Sequence, residues 1–316
     1  MNNQFSIIIP VYNLNPCLHK CISSAIYQNY EDYEIIIIDD GSTDDIFEFL
    51  KINNFIEHIS YFKINNSGVE YARKYGIEHS KNKWLIFLDS DDYLDKNLLS
   101  KINANISDGI DGIMYNYKIF KNEEIIESSE ILNDKFMEWE KIFIECEYGK
   151  YIASLWRFCF PKKFYENLEL TDLKFCEDFI WIQNVLLKYK PNIICLNEAL
   201  YFYNKSNINS ASSNKYNKKY LQSYIDLPLQ FERIISKNAD RSNFKNEISR
   251  ENIVSLQRIS RILKYKDFKK YILNNLERYS ELKINKNLCE KKIIISEKLL
   301  KYKMYYIFYV LNRIKK

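Results

Sequence analysis

The chain has 316 residues, 47% of them hydrophobic, and a formal net charge of +4. That length and apolar fraction exclude wholesale disorder and allow one large domain or two ordinary ones, each with a real core. The charge is too small to argue for nucleic acid, and no nucleic-acid partner is expected.

The first hundred residues alternate clearly. Phe5–Ile9 reads as a strand. Asn15 then offers an N-cap, with Pro16 at the first helical position. Leu18, Cys21, Ile22, Ala25 and Ile26 follow at helical spacing and make one apolar face. Glu34–Ile38 is apolar on both faces, as in a central, doubly covered strand. Thr43–Lys51 is expected to be a helix, Ile59–Ile64 a strand, Val69–Glu78 a helix and Trp84–Leu88 a strand. Such alternation predicts βαβ units and a mostly parallel sheet.

Beyond residue 112 the pattern is mixed. Gly112–Phe120 reads as a strand, Trp139–Glu147 as a helix, Ile152–Phe160 as extended and Glu177–Tyr189 as a helix. Two short strands are expected at Asn192–Leu196 and Leu200–Tyr203, then a polar loop over 204–219. Beyond about 218 the periodicity is wholly helical and lysine-rich, which places a boundary near 215.

The 7 cysteines lie at 17, 21, 146, 159, 176, 195 and 289, with no pair of CxxC motifs. Cys17 and Cys21, one helical turn apart among apolar neighbours, read as buried thiols, and a reducing cytosol fits. The start, "MNNQFSIIIPVYN", lacks the basic region and small-residue site of a signal peptide. No apolar run approaches the roughly 20 residues a membrane span needs. The expected location is cytoplasmic, with a peripheral place on the inner face of the membrane as an option.

In parallel α/β sheets, ligands bind beyond the carboxyl ends of the strands. Polar and acidic groups collect there: Pro10-Val11-Tyr12-Asn13, then Asp39-Asp40-Gly41-Ser42-Thr43-Asp44, then Asn65-Asn66-Ser67-Gly68, then Asp89-Ser90-Asp91-Asp92. Asp89 and Asp91, just past an apolar strand, can turn toward one hard divalent cation. They also fit an acidic turn, with Asp95 capping a following helix. Asp40 can accept from a base N–H, or the "DDGSTD" stretch can be only a tight turn, with Ser42 or Thr43 capping the next helix. Arg73, beside Ala72 on an apolar helix face, is either a surface residue or aimed at a diphosphate or carboxylate. Glu177 and Asp178 open a helix, where negative charge is favourable. A carboxylate there could also take a proton from an acceptor hydroxyl.

The stretches "FSIIIPVYN", "IIIIDDGSTD", "NNSGVEYARKYGI" and "WLIFLDSDDYL", in that order, resemble the family 2 glycosyltransferases of the GT-A fold, of the bacterial surface-glycan type. The likeness is close over about residues 4–95 and continues through "LKFCEDFIW" and "YFYNKSNINSAS" to about 213. It implies an α/β, GT-A-like fold: a mostly parallel sheet flanked by helices, with a Rossmann-like nucleotide-binding half and a helical C-terminal region. The expected division is a catalytic domain over 1–215 and helices over 216–316. Within the first, the nucleotide-sugar half covers about 1–110 and the acceptor half about 111–215.

The resemblance further implies an inverting transfer of a hexosyl or N-acetylhexosaminyl group. The donor would be a nucleotide sugar, most naturally a UDP-sugar. The acceptor would be a glycan or lipid-linked hydroxyl, in capsule, lipopolysaccharide or lipooligosaccharide synthesis. The implied cofactor is Mn²⁺ or Mg²⁺. By position, Pro10, Val11, Tyr12 and Asn13 correspond to the base and ribose loop, and Asp40 to the aspartate that reads the base. Asn66, Gly68, Arg73 and Ser90 join the nucleotide side. Asp91 and Asp89 correspond to the metal-binding DxD and Asp178 to the catalytic base, with Asp92 and Glu177 supporting. Two departures stand out: Cys176 alone separates Phe175 from Glu177, and Asn204-Lys205 replace a common arginine or histidine.

Two other readings use the same residues. An aspartate-nucleophile phosphohydrolase would attack through Asp89. A non-catalytic subunit would bind a nucleotide sugar without turnover. The last helix, "EKLLKYKMYYIFYVLNRIKK", alternates bases with aromatics. It would lie on an anionic membrane surface or pack on the protein itself, on its own subunit or another.

Overall fold

The computed structural model describes residues 3–122, 124–128, 135–206, 213–280, 282 and 291–313. Residues 207–212 of the polar stretch and Cys289 lie outside them. In chain order come β1 (Phe5–Val11), α1 (Leu18–Ile26), β2 (Tyr33–Asp40), α2 (Ile46–Ile52), β3 (Ile59–Ile64), α3 (Val69–His79), β4 (Trp84–Phe87), β5 (Tyr93–Leu94), α4 (Leu98–Asn105), β6 (Gly112–Lys121), β7 (Glu124–Ser128), β8 (Lys135–Met137), α5 (Trp139–Glu147), β9 (Phe158–Pro161), α6 (Glu177–Tyr189) and β10 (Ile193–Asn204). Six helices follow: α7 (Leu221–Asn238), α8 (Lys245–Ile262), α9 (Tyr265–Asn274), α10 (Leu276–Ser280), α11 (Lys291–Lys301) and α12 (Tyr305–Arg313). The fold is α/β and GT-A-like.

The chain divides into two compact units. One comprises Met1–Lys141, Ile152–Leu170 and Tyr189–Ile208; the other comprises Ile142–Tyr151, Thr171–Lys188 and Asn209–Lys316. All ten strands among the described residues belong to the first. Their order is β3-β2-β1-β4-β9-β6-β10-β5, with β7 on β6 and β8 on β10. The first four run parallel. β9 then enters antiparallel to both β4 and β6, and β6 pairs with β10 in parallel.

β1 and β2 are buried along most of their length because isoleucines point to both faces, as the doubly covered reading requires. Each fully buried isoleucine contributes about 1.5–3 kcal/mol. Above the sheet, α3 approaches closely at Gly76, where a Cβ would stand 2.5 Å from the Ile8 side chain. The register decides where the loops emerge. Val11 lies opposite Asp39, and Asp39 opposite Lys63. Three strands therefore end level, at one edge.

Several boundaries differ from the sequence expectation. α1 has Cys17 at its N-cap position, and Pro16 stays in the turn before it. Asn15 lies two residues early, its side-chain oxygen accepting the Cys17 N–H at 2.9 Å. β10 is one strand of 12 residues, not two. Register shifts between Leu196 and Tyr201 absorb the interruption at Asn197-Glu198.

The second unit is helical. Tyr224, Ile253, Leu256, Ile259, Phe268, Ile272 and Phe308 belong to its core. α8 also buries charge, with Arg250 paired to Glu147 at 3.0 Å. Among the described residues, no helix is long and apolar enough to cross a membrane.

Candidate functional site

The exit of β2 is fixed by two adjacent aspartates. Asp39 is fully buried and accepts from the Ser42 N–H and the Tyr61 hydroxyl, each at 2.7 Å. Lys63 stands 3.3 Å away. Burial opposes the Asp39 charge, but the bonds from Ser42 and Tyr61, with Lys63, outweigh it and hold the carboxyl below its ordinary value. Asp40 points elsewhere. Its two oxygens accept the N–H groups of Ser67 at 2.7 Å and Gly68 at 2.9 Å. Burial raises its carboxyl, those N–H groups lower it and Asp39 raises it; the net shift is upward. Between these walls Gly41 has φ +69°, and a Cβ there would lie 2.5 Å from the Asn66 backbone nitrogen. Only glycine fits.

The exit of β1 interlocks with this turn. Pro10 and Val11 are the buried end of the strand, so Tyr12 and Asn13 are what the loop presents; Tyr12 is 54% exposed. Asn13 adopts φ 61°, a left-handed conformation that asparagine tolerates. Its N–H donates to the Ser42 hydroxyl at 2.8 Å, and its side-chain oxygen accepts the Thr43 N–H at 2.8 Å. The Leu14 N–H donates to Asp44 at 2.8 Å. Ser42 and Thr43 were candidates to cap α2, and the loop uses them instead. The cap is Asp45, which accepts the Glu48 N–H at 2.9 Å. Gly41, Ser42, Lys63, Asn65, Asn66 and Tyr71 line a cavity of about 670 Å³. That size suits a small organic ligand. Asn66 and Gly68 are both exposed on its loop.

The "DSDD" stretch follows β4. Arg73, only 4% exposed, donates to Asp89 at 2.8 Å. Of the two options for this arginine, the structure shows it directed at a carboxylate. The Ser90 carbonyl accepts the Asn15 side-chain amide at 3.2 Å, which ties the β1 loop to this one. Asp92 is buried and accepts the Tyr201 hydroxyl at 2.6 Å and the Asn204 N–H at 2.7 Å. Burial and the charges of Asp91 and Asp89 push its carboxyl well up. Asp95, a candidate cap, sits two residues early: its side chain accepts the N–H of Asn97, the residue at the N-cap of α4.

A metal can be tested against these donors. Among the described residues, no group of three or more His, Cys, Asp and Glu side chains could hold an ion unaided. Asp92 faces Tyr201 and Asn204. Asp89 and Asp91 remain half-exposed hard-oxygen donors. Two carboxylates suit Mg²⁺ or Mn²⁺ when phosphate and water complete the shell. The donor set therefore fits an ion shared with a ligand, not a protein-only cage.

Glu177 and Asp178 belong to the second unit, at the first turn of α6, and both are half-buried. Before them, Cys176 has φ 70°, an uncommon conformation for a residue with a side chain. Burial pushes its thiol up to about 12; Arg258 opposes this, and Glu251, Glu177 and Asp178 add to it. The structure thus brings Tyr12, Asn13, Asp40, Asn66, Gly68, Arg73, Asp89, Ser90 and Asp92 to one edge of the first unit. Asp39, Lys63 and Tyr201 were not singled out in the sequence. Asp39 sat within a motif already quoted. Tyr201 gave no local signal.

Residues 6–155 match the family model described as glycosyl transferase family 2. Over that stretch, just under half of its length, the chain is similar to glycosyl transferase family 2. Among curated proteins, it is 29% identical over 214 residues to Glycosyltransferase GlyA of Streptococcus pneumoniae, covering 64% of this chain and 31% of that protein. It is 32% identical over 217 residues to the minor teichoic acid biosynthesis protein GgaA of Bacillus subtilis, covering 64% and 47%. The chain therefore spans a third to a half of those relatives' lengths. Among solved structures, S. aureus TarS 1–349 in complex with UDP-GlcNAc superposes with a TM-score of 0.72 at 16% identity, covering 98% of this chain and 90% of that one. At that identity the likeness concerns the fold.

Proposed function

We propose that this chain transfers a sugar, a hexose or N-acetylhexosamine, from a UDP-sugar to an acceptor hydroxyl, with inversion. The observation that carries the reading is the gathering, at one sheet edge, of the Asp40 loop with its cavity and the Arg73–Asp89 pair. The match of residues 6–155 to the glycosyl transferase family 2 model supports transfer over phosphate hydrolysis. The UDP-GlcNAc held by TarS favours a UDP donor, and GgaA's role favours a bacterial cell-surface glycan or its lipid-linked precursor as acceptor.

Tyr12 and the cavity wall would take the nucleoside, with Asp40 fixing the wall. Arg73 holds one oxygen of Asp89 and so sets the direction of its other oxygen. A bound Mn²⁺ or Mg²⁺, held by Asp91 and Asp89, would neutralise charge at the diphosphate. By its motif position Asp178 is the base. It takes the proton of the acceptor hydroxyl as that oxygen attacks the anomeric carbon from the face opposite the diphosphate. The new C–O bond forms, the old one breaks, and UDP leaves with the electron pair.

A panel of nucleotide sugars, screened with Mn²⁺ and Mg²⁺ for thermal stabilisation and slow hydrolysis, tests the donor. One UDP-sugar should stand out, and only with metal. Stabilisation by none of them, or phosphate release from simple esters, would refute the reading.

A further inference from the structure

We propose that the outward face of α12, with the lysines around it, seats on an anionic lipid bilayer. This helix is apolar on two sides. Tyr305, Phe308 and Asn312 are buried, and Phe308 stacks on Phe268 of α9 at 5.8 Å. That much is ordinary packing within the second unit. The opposite side carries Tyr306, Ile307, Val310 and Leu311, all exposed, with Tyr306 at 60%. They recur one turn apart, 306 with 310 and 307 with 311, so they form a single stripe. Exposed Tyr302 and Met304 extend it through the turn from α11, where Ile295 is exposed too.

A surface helix normally turns a polar face to water. An apolar stripe in its place needs an apolar neighbour. The helix has 9 residues, about 14 Å at 1.5 Å per residue. It can lie on a bilayer but not cross one.

The charges choose among occupants. Lys298, Lys301 and Lys303 are exposed along the approach to the stripe. Lys264 and Lys266 flank Tyr265, whose ring rests on Tyr306 at 5.1 Å and on Tyr309 at 5.4 Å. Two acids are close: exposed Asp267, and Glu297, which pairs with Lys301 at 3.0 Å. Lysines outnumber them. An apolar stripe rimmed by lysine, with a tyrosine at its margin, suits acyl chains beneath anionic headgroups. A second copy of the chain would set lysines against lysines.

Flotation of the full chain with phosphatidylcholine vesicles, with and without phosphatidylglycerol, tests this. The chain should float with the anionic vesicles, lose binding as salt rises, and remain behind with the neutral ones. Replacing Tyr306, Ile307, Val310 and Leu311 together by serine should lower partitioning at least tenfold. Apart from the edge contact of Tyr306 with Tyr265, those side chains face solvent, so the thermal melt should hold. Lys266→Glu with Lys303→Glu, which leaves the stripe intact, should lower it about tenfold or more. The idea fails if wild-type chain ignores anionic vesicles or if both variants float as well as wild type. It also fails if the stripe instead drives a concentration-dependent dimer without vesicle binding.

Discussion

The Tyr201 hydroxyl donates to the buried Asp92 carboxylate at 2.6 Å and accepts the Asp89 N–H at 3.3 Å. One atom of β10 thus pins two positions of the acidic loop after β4. Tyr201→Phe keeps the ring, which stacks on Trp156 at 4.4 Å, and removes only the pin. The expected cost is about 1–3 kcal/mol in a denaturant melt, as for a buried acceptor left without its donor. Metal-dependent donor binding should weaken with it, as read by titration calorimetry.

Arg73 and Asp89 make a largely buried ion pair with side-chain exposures of 5% and 28%. Removing one partner of such a pair strands the other. Arg73→Ala should therefore destabilise the fold by about 2–4 kcal/mol. Arg73→Lys should recover part of the stability but less of the activity, since an ammonium lacks the planar fork. Thermal melts and donor hydrolysis, measured side by side, separate the two effects.

Asp178→Asn changes one atom at the first turn of α6. If Asp178 is the base, turnover should fall by roughly 10²–10⁴, while the donor dissociation constant stays put. Unchanged turnover would move the base to another carboxylate, with Glu177 next to be tried.

Asp39 supplies a pH test. Its carboxyl lies below its ordinary value, so its folded form binds a proton less readily than its unfolded form. The stabilisation it gives is full above the ordinary aspartate range, near pH 4. It is lost as pH falls through the lowered value. Asp39→Asn should cost about 1–3 kcal/mol at neutral pH and flatten the acid limb of the stability curve. Urea melts between pH 3 and 7 would show it. An unchanged acid limb would mean that Tyr61, Lys63 and Asp40 compensate one another.

The first hundred residues were readable because their signals are local. Runs such as Ile35–Ile38 report burial on both faces directly. The exits of β1 to β4 then follow from topology. What escaped was every feature depending on a distant partner. Ser42 and Thr43 look like caps until Asn13, thirty residues earlier, claims them. Asp92 looked like a spare acid because Tyr201 is 109 residues away. The extended reading of Ile152–Phe160 holds only at its end, in β9, and nothing local announces the antiparallel place of β9 between β4 and β6. Asp178 stood out only by its motif, since an acidic pair opening a helix has a local explanation as well.

Both oxygens of Asp40 are engaged by Ser67 and Gly68, and this limits how the chain can be re-engineered. The residue matched to reading the base also ties down the neighbouring loop. A substitution there, made to change nucleotide preference, would dismantle the wall along with whatever base recognition the proposed function gives it. Preference is better altered through side chains that line the cavity without holding its frame, such as Asn65 and Tyr71. A selection starting from those two positions should yield altered donors with intact folds, whereas one starting from Asp40 should yield mostly unfolded chains.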